Sequence, residues 1–159
     1  MLSVLIPVFN YDVRVLVGAL AEQLGVIGKA YEIRVYDDFS TNKLLKEGNE
    51  SIAKIEHVVY KKLTKNLGFC RIRNVLAEEA KYDLLLFLDS DVEVITGDFI
   101  QKYLDLADGK TVFCGGMEYT SKMPEAERFL KWKHGKAREE ASAELRNLNA
   151  HRTIWAGNF

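Results

Sequence analysis

Proline, cysteine and one-sided charge are all scarce in this chain of 159 residues, and each lack closes off a class of protein. The two cysteines, Cys70 and Cys114, form neither a disulfide framework nor a metal-ligand spacing, so they read as free thiols in a reducing compartment. Lys plus Arg number 22 against 23 for Asp plus Glu, a formal net charge of -1. Duplex binding normally calls for a basic excess on one face, so nucleic acid is not an expected partner. No G-x-G-x-x-G is present, which argues against a dinucleotide dehydrogenase. The opening run Leu2–Pro7 is too short for a membrane span, lacks a basic flank, and is followed by no small-residue cleavage site. The expectation is a cytoplasmic protein without a transmembrane segment, with peripheral contact to a membrane-bound acceptor left open.

What is present reads as alternating strands and helices. Residues 2–9 form a short β-rich run, with Pro7 near its end. Asn10 or Asp12 is placed to cap a helix carrying Leu16, Val17, Leu20 and Leu24, with Gly25 and Gly28 at its end. A second strand runs from Tyr31 to Tyr36, and a weaker third lies around His57–Tyr60. Asn66-Leu67-Gly68 opens a helix to about Ala80, with Phe69, Ile72 and Leu76 on one face. Leu84–Leu88 is wholly apolar, the pattern of a central parallel strand covered on both faces. A helix at 98–107 and a strand at Thr111–Cys114 complete the series, which implies an α/β fold, a mostly parallel sheet with helices on both faces. After Pro124 the composition turns charged and alanine-rich, reading as helix interrupted near Gly135. The expected division is a ligand-binding α/β core at 1–120 and a second region at 121–159.

Position carries the functional signal. Asn10, Asp37, Asp38, Asn66, Asp89 and Asp91 all fall just after apolar strand runs or just before helices. In an open α/β sheet the carboxyl ends of the strands form the ligand crevice. Asp89-Ser90-Asp91 places two carboxylates at i and i+2, on one side of an extended segment, able to face one cation. Oxygen ligands of this kind suit Mg²⁺ or Mn²⁺. The plainer alternative is that the pair ends the strand and caps the helix near Asp98. Asp37-Asp38 is either a ligand-holding pair or an Asp/Ser/Thr turn. Arg71 and Arg73 are each either a phosphate contact or a solvated helix face. His57, His134 and His151 are scattered and make no metal site.

Together, Ser3–Asn10, Glu32–Thr41, Asn66-Leu67-Gly68 with Arg73-Asn74, and Leu86–Asp91 resemble glycosyltransferase family 2, of inverting mechanism and Rossmann-like GT-A fold. Leu130–Glu139 and Trp155–Phe159 resemble the family's region before its acceptor loop more loosely. The resemblance implies roles. Pro7, Val8 and Phe9 line the nucleoside pocket with Asn10, and Asp38, partnered by Asp37, holds the base or ribose. Asn66, Gly68, Arg73 and Ser90 belong to the same nucleotide-sugar site. Asp89 contacts the ribose or the metal shell, and Asp91 binds Mn²⁺ or Mg²⁺ on the diphosphate. The implied reaction moves a sugar from a nucleoside-diphosphate sugar, a UDP-sugar by preference, to a glycan or lipid-linked acceptor. The family's catalytic base falls beyond the point matching Phe159, so the chain is expected to be a fragment with little turnover of its own. Glu118, Glu139 and Glu140 read as surface carboxylates. Where the family usually has Gly, this chain has Phe39.

Two alternatives stay open at this stage. A haloacid-dehalogenase-like phosphatase would use Asp89 as nucleophile and Asp91 as acid/base, but places that motif on its first strand and needs further downstream groups. A nucleotide-binding module without turnover is the other. A sugar nucleotidylyltransferase wants a glycine-rich loop after its first strand, where this chain has Pro7-Val8-Phe9-Asn10.

Overall fold

The computed structural model describes residues 1–148 and 157–159. Strand β1 (Leu2–Val8) leads into helix α1 (Arg14–Ile27), and β2 (Tyr31–Asp37) into α2 (Lys43–Asn49) and a 3₁₀ turn at Glu50–Lys54. Then come β3 (Val58–Lys62), α3 (Phe69–Glu78), β4 (Leu85–Phe87), α4 (Phe99–Leu106), α5 (Ala126–Arg138) and α6 (Ala143–Leu148). The strands pair in the order β3-β2-β1-β4, all parallel. From β1 the chain steps outward to β3, then returns to place β4 on β1's other side. The switch point, where such sheets open a crevice, therefore lies between the carboxyl ends of β1 and β4.

Alternation along β1 explains the two layers. Leu2, Val4, Ile6 and Val8 face a core shared with Leu16, Val17, Leu20 and Leu24 of α1 and Ile100 of α4. Leu5 points the other way and packs with Tyr36 and with Ile72 and Leu76 of α3. Each fully buried aliphatic side chain contributes about 1.5–3 kcal/mol, so these two faces hold the sheet between its helices. Helix α1 stops at Gly28, whose left-handed backbone (φ 68°) turns its N–H onto the Leu24 carbonyl.

Several expectations change. Gly25 lies inside α1 rather than at its end. Its cap residue is Val13, whose side chain caps nothing, while Asp12 accepts the Arg14 N–H from one position earlier. The run at Leu84–Leu88 is not central: β4 is an edge strand of the four, and only Leu86 within it is buried. Its apolar character arises because Leu86 and Leu88 enter one core while Leu85 and Phe87 pack against the other. The outer edge of β4 meets Gly157–Phe159 running antiparallel, with Phe159 N–H to Phe87 O at 3.1 Å and Asp89 N–H to Gly157 O at 2.9 Å. Thr111–Cys114 forms no strand; the adjoining Gly115 N–H makes one bond to Asn158 O, a contact rather than a ladder. Helix α5 runs unbroken through Gly135, and the gap in helix falls at 139–142. Gly135 is there for space, since a Cβ would sit 2.1 Å from Cζ of Tyr119. Among the described residues, no helix is long and apolar enough to cross a membrane.

Candidate active site

At the switch point lies an open cleft of ≈ 440 Å³. Its walls are Pro7, Val8 and Phe9 from the end of β1, Asp38 after β2, Asn66, Gly68 and Arg73 at the start of α3, and Asp89-Ser90-Asp91 after β4. Four segments distant in sequence thus converge, as their strand-end positions predict. Asn10 and Asp37 are not part of the lining.

Those two residues build the loops behind the cleft. Asp37 is fully buried; its carboxylate accepts the Ser40 N–H at 2.6 Å and the Tyr60 hydroxyl at 2.9 Å. The turn reading therefore describes Asp37's contacts. Tyr60's phenol is held well above its usual range, first by burial and then by that carboxylate. Asn10 Oδ1 accepts from the N–H groups of Thr41 and Asn42, fastening the loop after β1 to the loop after β2. Between them Phe39 takes a left-handed backbone (φ 66°), a conformation that disfavours any side chain. A glycine fits this position without strain, which gives the family's usual residue a physical reason.

Asp38 does double duty. It is 5% exposed and lines the cleft, yet both carboxylate oxygens accept backbone N–H groups, of Leu67 at 2.6 Å and Gly68 at 2.9 Å. Its carbonyl accepts from Asn66 Nδ2 at 2.8 Å. One residue thus anchors the loop that starts α3. Gly68 itself sits at φ 79°, where a Cβ would be strained.

Arg73 and Asp89 form the polar floor. The Arg73 guanidinium bonds the Asp89 carboxylate and the Phe69 carbonyl, and lies 3.6 Å from the Phe69 ring centroid. Burial pushes the Asp89 pKa up, Arg73 works against that, and neighbouring Asp91 adds to the rise. Arg71 is solvent-exposed. Asp91 is half-exposed, and Lys131 of α5 brings its Nζ within 3.4 Å. Neither aspartate caps a helix, because α4 begins only at Phe99. Two carboxylates on one turn after β4 remain a donor set suited to a hard divalent cation. Among the described residues no cluster of three or more His, Cys, Asp or Glu side chains could hold a metal. A cation here would rely on ligand or water oxygens for its remaining positions.

The cleft also contains residues the sequence reading did not assign: Tyr11, Phe69 and Ile72. Phe69, placed on one helix face with Ile72 and Leu76, is 60% exposed where those two are buried, because the first residue of α3 stands at the mouth rather than over the sheet. Tyr11 directly follows the Phe9-Asn10 loop, the one local signal that could have included it. Glu118, Glu139 and Glu140 are not part of the lining: Glu139 takes the Tyr119 hydroxyl, Glu140 approaches Lys136 at 3.8 Å, and Glu118 is exposed. Among the histidines, His57 and His134 are exposed and outside the cleft, while His151, like Trp155 and Ala156, falls outside the described residues.

The family model for glycosyl transferase family 2 matches residues 3–158. The chain belongs to that family. This membership sets aside the phosphatase alternative, as does the placement of Asp89 after the fourth strand rather than the first. No curated protein matches the sequence significantly. Among solved structures, the chain is similar to TarS 1-349 of S. aureus, with 24% identity, TM-score 0.56, and coverage of 79% of this chain and 38% of that one. The TarS complex with UDP-GlcNAc aligns equally, with 24% identity, TM-score 0.56 and coverage of 79% and 37%. The mannosyltransferase PcManGT of Pyrobaculum calidifontis, in complex with GDP-Man and Mn²⁺, aligns at 19% identity, TM-score 0.52, and 73% and 35% coverage. At these identities the likeness speaks for the fold, which is GT-A. This family 2 chain spans well under half the length of each of these proteins.

Proposed function

We propose that the chain is the nucleotide-sugar-binding part of an inverting glycosyltransferase, taking a UDP-sugar with Mn²⁺ or Mg²⁺ and delivering a hexosyl-type sugar to a glycan or lipid-linked acceptor. The observation that carries the proposal is the convergence of Pro7–Phe9, Asp38, Arg73 and Asp89–Asp91 on one switch-point cleft. The neighbours in complex with UDP-GlcNAc and with GDP-Man and Mn²⁺ support a nucleotide-sugar and metal reading.

In this reading Phe9, Tyr11 and Phe69, all largely exposed at the mouth, offer the ring faces on which a nucleobase stacks. Asp38, with Asp37 behind it, fixes the loop edge that meets the base or ribose, and Asn10, Asn66 and Gly68 shape it. Arg73 holds Asp89 in place toward the ribose or the metal's outer shell, while Asp91 is the direct metal ligand. A divalent cation bound there supplies charge neutralisation for the departing diphosphate. The proton of the acceptor hydroxyl needs a base on the opposite face of the sugar. We assign it to a carboxylate outside the described cleft, since Asp38, Asp89 and Asp91 already have partners. Residues 121–159, with α5 and α6, are then the start of the acceptor-side region.

Calorimetry with UDP, GDP and ADP, in Mn²⁺ and in excess chelator, tests this. UDP should bind most tightly, and only with metal. Equal UDP affinity in both conditions would remove the metal from the site.

A further inference from the structure

Helix α5 carries three lysines, and two of them stay on the side where the helix is seated, Lys136 also donating to the Tyr119 carbonyl at 3.4 Å. Lys133 lies over the Phe129 ring at 5.9 Å, and Lys136 over Trp132 at 5.6 Å, with Glu140 at 3.8 Å. Lys131 instead reaches across to the cleft, its Nζ 3.4 Å from Asp91 Oδ2. That placement follows from how α5 is seated. Trp132 Nε1 donates to the Thr120 carbonyl at 2.8 Å, the Tyr119 ring fills the space left by Gly135, and the Tyr119 hydroxyl bonds Glu139.

We propose that Lys131 couples metal binding to diphosphate binding, neutralising Asp91 when no ligand is present and transferring to the diphosphate when a metal-bound nucleotide enters. The proposal rests on the nucleotide-sugar reading of the cleft and extends it to a residue outside the strand-end motifs. The Lys131 side chain is 78% exposed and Asp91 is 50% exposed, so water screens the pair and its ammonium leaves at little cost. A free dication approaching Asp91 meets a carboxylate that already has a cation. A dication arriving with a diphosphate brings excess negative charge, and the same ammonium becomes an attractive partner for phosphate oxygen. Arg73 cannot take that part without abandoning Asp89 and the Phe69 carbonyl. Lysine's flexible stem and point charge suit a change of partner better than a guanidinium locked in a fork. Because such coupling is reciprocal, metal strengthens diphosphate binding by the same factor that diphosphate strengthens metal binding.

The test is calorimetry on the 159-residue chain with Mn²⁺ alone, then UDP and UMP at saturating Mn²⁺, for wild type, Lys131→Met and Lys131→Arg. Losing one charge-assisted contact predicts UDP binding about tenfold weaker in Lys131→Met, with UMP changed less than about twofold. Mn²⁺ alone should bind Lys131→Met about threefold tighter, because the competing cation is gone. Lys131→Arg should restore most of the UDP affinity. Unchanged UDP binding in Lys131→Met, equal losses for UDP and UMP, or weaker binding of Mn²⁺ alone would each overturn the proposal. A wild type that binds no UDP with Mn²⁺ would instead bring down the nucleotide-sugar reading itself, and this proposal with it.

Discussion

Replacing Asp38 by Asn removes one negative charge with almost no change in size, at a position where both carboxylate oxygens are in use. They accept the N–H groups of Leu67 at 2.6 Å and Gly68 at 2.9 Å. An amide can satisfy one of these with its oxygen, but its NH₂ group then opposes the other N–H. With Asp38 only 5% exposed, water is poorly placed to repair the mismatch. Losing a hydrogen bond to a charged acceptor costs about 1.5–3 kcal/mol, and stranding a buried donor about 1–3 kcal/mol more. These overlap, so we expect a loss of about 3 kcal/mol, or about 6–12 °C in melting temperature for a domain of this size. Urea unfolding followed by circular dichroism reads it as a lower midpoint at unchanged slope. A loss below about 0.5 kcal/mol, the scale of an ordinary surface change, would refute the claim that Asp38 anchors the loop before α3.

Gly135→Ala puts a Cβ into the Tyr119 ring and should unseat α5 locally, costing about 1–3 kcal/mol and increasing hydrogen exchange over 126–138. At Phe39, whose φ is 66°, Gly should be more stable than the β-branched Val by about 1–2 kcal/mol in the same urea assay. Burial works to raise the Glu32 pKa, but the Lys81 N–H, the Ser3 hydroxyl and Arg34 outweigh it and leave the carboxyl below its ordinary 4.5. A depressed folded pKa means stability present above the ordinary value and lost as pH falls through the folded one. Glu32→Gln should therefore destabilise at pH 7 by about 1–3 kcal/mol and show a shallower acid limb than wild type in melts from pH 7 to 3.

Much of this was legible in the chain because the signals were local. Apolar runs ending in aspartate placed Asp38, Asp89 and Asp91 at strand ends, and parallel topology made those ends converge. Asp37 and Asp38, both buried, make different contacts: Asp37 closes the turn onto the Ser40 N–H, while Asp38 takes the Leu67 and Gly68 N–H groups and also lines the cleft. Helix α2 was not legible: Lys43–Asn49 has no amphipathic period, and it starts because Asn42 accepts the Leu45 N–H. The edge position of β4 was hidden for a different reason. Both of its faces are covered, so its composition is that of a central strand, while its edge is met by Gly157–Phe159, seventy residues downstream in the chain by rough count. Lys131 fell within the Leu130–Glu139 stretch, but nothing local tied it to the cleft, because its approach to Asp91 depends on how α5 docks on Tyr119 and Thr120.

The most direct test of the central claim, that a metal on Asp91 holds a nucleoside diphosphate in this cleft, is a UDP titration in Mn²⁺ of wild type beside Asp91→Asn and Asp89→Asn. Wild type should bind UDP with Mn²⁺ and lose that binding in chelator. Asp91→Asn should abolish the metal-dependent component at nearly constant side-chain size, and Asp89→Asn should weaken it less. A wild-type isotherm unaffected by Asp91→Asn would contradict the account.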